Sequence, residues 1–323
     1  YRSDLADQID YFKVCQYFFV SQWKALKDYA NDHHIKIIGD IPIYVSADSV
    51  EVWTKPQLFK LDSERKPTFV AGVPADQFSA DGQLWGNPLY DWDEHEKTGF
   101  SWWIYRIHES FKIYDLLRID HFKGFSDYWQ VDGKATVAKD GTWEPGPGYS
   151  LFKVVKETLG DLPIIAEDLG NIDAKARKLL NDCGYPGMKI LEFGLSDVTG
   201  KSIDAVHRCI PNSIAYMGTH DNEVVNGWYQ DLSPEQQEYV DAYSNRKPIE
   251  PIHQAMLRVL FGAVSNTAIA SMQDILNLGA ESRMNFPSTI GGNWQWRMKK
   301  DDLTQDQKDF LTRITLLTSA AMS

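Results

Sequence analysis

The chain has 323 residues, 43% of them hydrophobic and 24% charged, and no run approaches the roughly 18 uninterrupted apolar residues of a membrane span. These values argue against a disordered, fibrous or membrane-spanning chain and suit one large α/β unit with a sizeable core. Lys and Arg number 33 against 45 Asp and Glu, and the resulting charge of −12 repels phosphate backbones and anionic lipid, so neither nucleic acid nor membrane is expected as a partner.

In chain order, apolar residues at Phe19, Val20, Trp23, Leu26 and Tyr29 predict an amphipathic helix over 19–29, and the run at 35–40 predicts a buried strand ending at Asp40. Residues 45–92, rich in Asp, Gly, Pro and aromatics, read as a loop insertion beside a site. A helix through Trp103, Ile107 and Phe111 precedes a strand at 116–119, and a helix through Leu151, Val154, Val155 and Leu159 precedes a strand at 163–166. The Gly- and Pro-rich stretch 144–148 reads as the turn into that second helix, since no strand precedes it as a phosphate-binding loop requires. Further strands are predicted at 188–193, 213–217 and 267–271, the last after a helical pattern over 252–264. This alternation argues for a parallel sheet covered by helices. Six strands are two short of a closed eight-stranded barrel, and an open doubly wound sheet is the alternative, although the turn at 39–42 (GDIP) is not a nucleotide-binding turn. The chain opens at Tyr1 without Met and its first thirty residues lack signal-peptide features, so a trimmed or partial cytoplasmic chain is expected.

Catalytic groups of such folds gather at the C-terminal ends of the strands. Here those ends carry Asp40, Arg118 with Asp120, Glu167, and His220 with Asp221, whereas the strand near Ile190 contributes none in this reading. One strand-end acid is commonly a helix cap, but four around one mouth suggest chemistry. Arg118 and Asp120 are two apart in an extended segment and so share a side, where the guanidinium would keep the carboxylate ionised for attack on an anomeric carbon. Glu167 leaves an apolar strand beside another carboxylate, and both influences raise a carboxyl pKa toward that of a general acid; the competing account makes Glu167 and Asp168 caps of the next helix. His220 and Asp221 could hydrogen-bond sugar hydroxyls as charge develops. The 11 Trp add faces on which sugar rings stack. Cys15, Cys183 and Cys209 fit no disulfide or zinc pattern, and neither an HExxH spacing nor a GxSxG elbow occurs, so no metal and no cofactor is expected.

The segments LRIDHFKGF at 117–125, IIAEDLG at 164–170 and GTHDN at 218–222 closely resemble amylomaltases, the 4-α-glucanotransferases also called disproportionating enzymes. GDIPIYV at 39–45, AGVP at 71–74, GQLWGNPLY at 82–90, RMN at 283–285 and GNWQWR at 292–297 look like the same family, so the resemblance covers essentially the whole chain. It implies an α/β fold, an α-amylase-type (β/α)8 TIM barrel represented here by strands three to eight, forming a single catalytic barrel domain over 1–323 with the insertion 45–92 near the active site. It implies retaining transfer of α-1,4-glucan segments between maltooligosaccharides, with glucose as acceptor or product. By motif match Asp120 is the nucleophile, Glu167 the acid/base and Asp221 the transition-state stabiliser. Arg118, His220 and Asp40 would hold the donor sugar, and Tyr44, Asp76, Phe78 and Trp85 would be further sugar contacts. The two catalytic carboxyls would then lie about 5 to 5.5 Å apart. The alternatives are a retaining α-glucan hydrolase with the same carboxylates and an inactive fragment that at most binds glucan, the family's first two strands lying outside the sequence.

Overall fold

The computed structural model describes residues 1–75, 81–170, 172–287 and 289–319. The chain divides into two units, Tyr1–Tyr185 and Pro186–Ser323. Among the described residues the first holds seven strands: β1 (Ile38–Pro42), β2 (Phe69–Val73), β3 (Gln83–Pro88), β4 (Leu116–Asp120), β5 (Asp127–Asp132), β6 (Thr142–Pro145) and β7 (Ile164–Ala166). A parallel sheet runs in the order β1-β4-β7, with Asp40 opposite Arg118 and Ile119 opposite Ala166. Leu117, Arg118 and Ile119 are all buried, so both faces of β4 are covered, as expected for a parallel strand packed under helices. The helix Ser101–Ile113 buries Trp103 and Ile107, four apart on one face, and the helix Tyr149–Leu159 buries Leu151, Phe152 and Val155; these join Leu117, Ile119 and Ile164 in one core.

The stretch expected to be a loop insertion is folded. It contains the helix Val50–Thr54 and strands β2 and β3, which join β5 and β6 in an antiparallel sheet ordered β3-β2-β5-β6. Glu144 lies in β6, so the helix-entry turn is shorter than predicted: it runs from Gly146, where a Cβ would come 2.3 Å from the Phe125 carbonyl oxygen, to Gly148 at φ +58°. Most of the aromatic excess fills the core. Trp102 and Trp103 stack edge-on at 5.2 Å, and Trp103 touches Tyr90 at 5.5 Å and Phe125 at 5.1 Å. His95 is completely buried among these rings, and burial pushes its pKa down to about 4, so it packs there as a neutral ring. The first helix, Ala6–Asp32, departs from its predicted inward stripe: Phe19, Val20, Leu26 and Tyr29 are exposed. Its attachments run instead through Trp23, Lys27 and Asn31, spaced by four along one face, to the Ile113 carbonyl, the Tyr114 carbonyl and the Asp115 carboxylate.

The second unit contains β8 (Gly187–Ile190), β9 (Ser213–Tyr216) and β10 (Thr267–Ile269), parallel in the order β10-β9-β8. All six parallel strands read from the sequence therefore form, but three end early, at Ile190, Tyr216 and Ile269. After Ile190 the chain turns into the helix Leu191–Ser196, and Ser271 leaves β10 to cap the helix Met272–Ile275, its hydroxyl accepting from the Asp274 N–H. Leu191, Leu195, Met217, Val225, Trp228, Met256, Leu257 and Leu260 form this unit's core. Among the described residues no helix is long and apolar enough to cross a membrane.

Gly39 on β1 tests the packing of the first sheet, because a Cβ there would lie 2.0 Å from the Tyr114 ring. Gly39→Ala is expected to lower unfolding free energy by about 1–3 kcal/mol, the usual effect of overpacking, read from urea midpoints. An unchanged midpoint would contradict the contact.

Candidate active site

The first unit builds its site on β1, β4 and β7: Asp120 ends β4 and Glu167 follows β7, whereas Asp40, expected at the end of its strand, lies in the middle of β1, which continues to Pro42. Arg118 is only 7% exposed, and its Nη1 donates to Asp40 Oδ2 at 2.6 Å and to Asp120 Oδ1 at 3.0 Å. The expected Arg118–Asp120 pair is thus present, and Asp40 on the neighbouring strand shares the same guanidinium. Arg118 is itself a buried charge, and the anions around it raise its pKa despite the cost of burial.

Past Asp120 the backbone turns sharply at His121, which takes φ +52°, uncommon for a non-glycine residue, and leads into the short 3-10 turn Phe122–Phe125. That turn aims the His121 N–H at Glu167 Oε2 over 2.7 Å, while the Leu169 N–H reaches Glu167 Oε1 over 2.8 Å. Glu167 lies one residue beyond the Ile119–Ala166 pair on β7, as Asp120 does on β4, so the two acids occupy matching positions on adjacent strands. Burial first, and the Asp120 charge second, push the Glu167 carboxyl up to about 7; Arg118 and the two N–H groups oppose this without cancelling it. The two causes named from the sequence are the ones at work. The capping account does not hold for Glu167: the helix Ala174–Cys183 is capped by Asp173, whose Oδ1 accepts from the Ala176 N–H at 2.9 Å. Lys123 donates to that cap at 3.0 Å and lies 4.4 Å from the Trp143 ring centroid.

The insertion reaches this strand end through Trp85. Its indole meets the His121 ring edge-on at 4.8 Å and lies 6.3 Å from Tyr44, and it is 37% exposed. Tyr44 is buried, packed on Tyr90 at 5.9 Å. Asp76 and Phe78 lie outside the described residues. Burial pushes the His121 side chain down to about 4, so near pH 7 it is a neutral ring beside the two acids.

In the second unit, the segment after β9 carries His220 and Asp221, whose Nε2 and Oδ2 lie 3.4 Å apart. Asn222 folds the segment back, its Oδ1 accepting from the Thr219 N–H and hydroxyl at 2.8 Å each. Asn285 Nδ2 donates to Asp221 Oδ1 at 2.6 Å, and Arg283 donates to the Asp221 carbonyl at 2.7 Å. The exposed Trp294 stacks obliquely on His220 at 5.0 Å. Sequence reasoning assigned no role to His121, Arg283, Asn285 or Trp294. The last three lie in segments that had drawn notice only by resemblance, and all four act by backbone geometry or by contacts more than sixty residues distant. Glu192 was also missed: it stands two residues past Ile190, at the start of a helix and buried. Among the described residues no group of three His, Cys, Asp or Glu side chains is arranged to hold a metal ion.

The model for glycoside hydrolase family 77, described as 4-alpha-glucanotransferase, matches residues 1–304, and the chain belongs to this family. A 4-alpha-glucanotransferase of Streptococcus pneumoniae is 52% identical over 98% of this chain and 63% of its own length. One from Clostridium butyricum is 46% identical over 98% of this chain and 65% of its own. The solved amylomaltase of Streptococcus agalactiae in complex with acarbose superposes with a TM-score of 0.97 at 59% identity, covering 99% of this chain and 64% of that one. The amylomaltase of Corynebacterium glutamicum, at 17% identity and a TM-score of 0.74, shares the fold. The fold class is therefore the α/β, TIM-barrel type of the amylomaltases. The chain spans somewhat less than two thirds of the length of these relatives.

Because Glu167 is protonated below and ionised above about pH 7, its carboxyl resonance is expected to move through that pH in a carbon-13 titration. Asp120→Asn removes a neighbouring negative charge and is expected to lower this midpoint. A midpoint near 4.5 in the unsubstituted chain, or one that Asp120→Asn leaves in place, would contradict the electrostatic account.

Proposed function

We propose that the chain carries the catalytic residues of a 4-α-glucanotransferase that moves α-1,4-glucan segments between maltooligosaccharides by retaining double displacement. The observation that carries this reading is the pairing of Asp120 and Glu167 at matching positions on adjacent strands, one held by a guanidinium and the other able to keep a proton near neutral pH. Parallel strands lie about 4.8 Å apart, close to the carboxyl separation of retaining rather than inverting glycosidases.

In this mechanism Glu167 gives its proton to the glycosidic oxygen as an Asp120 oxygen bonds to the anomeric carbon, and the leaving sugar departs as an alcohol. The hydroxyl of an acceptor sugar then gives its proton to Glu167 and attacks the same carbon, and the Asp120 ester bond breaks. Arg118 places positive charge on Asp120, both as attacking group and as departing carboxylate, and helps to hold the donor sugar together with Asp40 and His220. Asp221, kept in orientation by Asn285 and Arg283, stabilises the positive charge that develops on the sugar ring. Trp85 supplies an exposed aromatic face, Tyr44 supports it, and Asp76 and Phe78 are included as sugar contacts on motif match. The names of the curated relatives and the acarbose complex of the S. agalactiae amylomaltase support glucan as the substrate class. A single catalytic barrel domain over 1–323, with 45–92 beside its site and glucose as acceptor or product in a cytoplasmic setting, belongs to the same proposal.

Incubation with maltotriose is expected to yield glucose together with longer maltooligosaccharides, read by chromatography of the products. Asp120→Asn is expected to lower the rate by at least about 10³-fold, and Glu167→Gln by about 10²–10⁴-fold. Only shorter sugars would favour hydrolysis, and no products from the unsubstituted chain would contradict self-sufficient activity.

A further inference from the structure

The second unit hides a carboxyl that the mechanism above does not use. Glu192 is 2% exposed, and its Oε1 has no hydrogen-bond partner among the described residues. It sits where β8 ends, with its N–H donating to the Met217 carbonyl at 3.3 Å, directly beside the start of the segment that carries Asp221. A Cβ on Gly218 would lie 2.9 Å from Glu192 Oε2, so the carboxyl and the Gly218 backbone are in close approach.

Three charged groups face this carboxyl, each from a different stretch of chain: Asp274 from the helix Met272–Ile275, Glu223 from the segment after β9, and Arg283 from the segment after the 3-10 turn Ala280–Ser282. Both other acids are satisfied. Asp274 accepts from the Val225 N–H at 2.8 Å and the Ser271 hydroxyl at 2.7 Å, and Glu223 accepts from the Val224 N–H at 2.9 Å and faces Arg283 at 3.4 Å. Arg283 donates from Nη1 to Glu223, from Nε to the Asn285 carbonyl at 3.0 Å and from Nη2 to the Asp221 carbonyl at 2.7 Å. An anionic Glu192 would draw on this guanidinium, the cation that faces it, in competition with the Asp221 carbonyl.

We infer that Glu192 is a positioning residue that stands as a neutral acid against Gly218 and thereby leaves Arg283 to hold the segment bearing Asp221. Burial, with Asp274 and Glu223 adding to it, raises the pKa of this carboxyl well above the ordinary range, in keeping with a retained proton. Its consequence for transfer rests on the function proposed above; its protonation and its effect on Arg283 do not.

The test uses the full chain and E192Q, a neutral isostere. A raised folded pKa means that the unfolded chain releases this proton near pH 4 while the folded chain keeps it, so stability relative to E192Q is greatest below pH 4 and is lost as pH rises to the folded pKa. The Tm difference should be constant below pH 4, then widen in favour of E192Q by about 2–4 °C per pH unit and level off at the folded pKa. Above that levelling pH, the Arg283 Nε–H resonance should shift in the unsubstituted chain and stay fixed in E192Q. Transfer from maltotriose should likewise fall more steeply with pH in the unsubstituted chain than in E192Q, with kcat at pH 6 within about twofold for the two proteins. Parallel Tm curves, or an Arg283 resonance that behaves alike in both, would overturn the proposal. Diverging Tm curves and a diverging Arg283 resonance in a chain without transfer activity would support the positioning role and overturn the functional reading alone.

Discussion

The first unit is organised around one buried cation. A guanidinium with 7% exposure is stable only where anions and acceptors surround it, and Arg118 finds them in Asp40 on one side and Asp120 two residues along its own strand. This requirement ties three side chains of adjacent strands into one geometry before any substrate arrives. It also leaves Glu167, the next acid across the sheet, near enough to Asp120 to feel its charge and too buried to ionise easily. A shared cation and a retained proton on neighbouring strands are the two halves of the proposed chemistry.

The second unit meets a similar problem by different means. Asp221 lies in a turn rather than on a strand, and its orientation comes from Asn285 on its carboxyl and Arg283 on its carbonyl. The acids packed near Arg283 outnumber it, and the excess negative charge is relieved by keeping Glu192 protonated. In each unit, then, an arginine holds an aspartate or its backbone while burial raises the pKa of a neighbouring glutamate.

The parallel strands were legible because strands buried on both faces read as contiguous apolar runs, and the acids that follow those runs marked the site. The same rule misplaced the end of the strand at 187–190, since Leu191 and Phe193 continue the apolar run while the backbone has already become helical. The antiparallel sheet escaped because β2 pairs with β5 about sixty residues later and neither strand alternates strongly enough to declare itself. Local pattern also could not find the residues that position others. His121 acts through a left-handed backbone conformation, Arg283 and Asn285 act across some sixty residues of chain, and the exposed aromatics of the first helix obscured its true line of attachment. What spacing did give correctly was the common side of Arg118 and Asp120 and the two causes that raise the Glu167 pKa.

The matched positions of Asp120 and Glu167 make a stereochemical claim that proton NMR tests directly. With α-maltosyl fluoride as donor and glucose as acceptor, the configuration of the newly formed linkage can be read from its anomeric coupling as it appears. Paired carboxyls at adjacent strand positions predict an α linkage, the result of two successive inversions at one carbon. A β linkage formed by the unsubstituted chain would require a single displacement, and would contradict the assignment of Asp120 and Glu167 as nucleophile and acid/base.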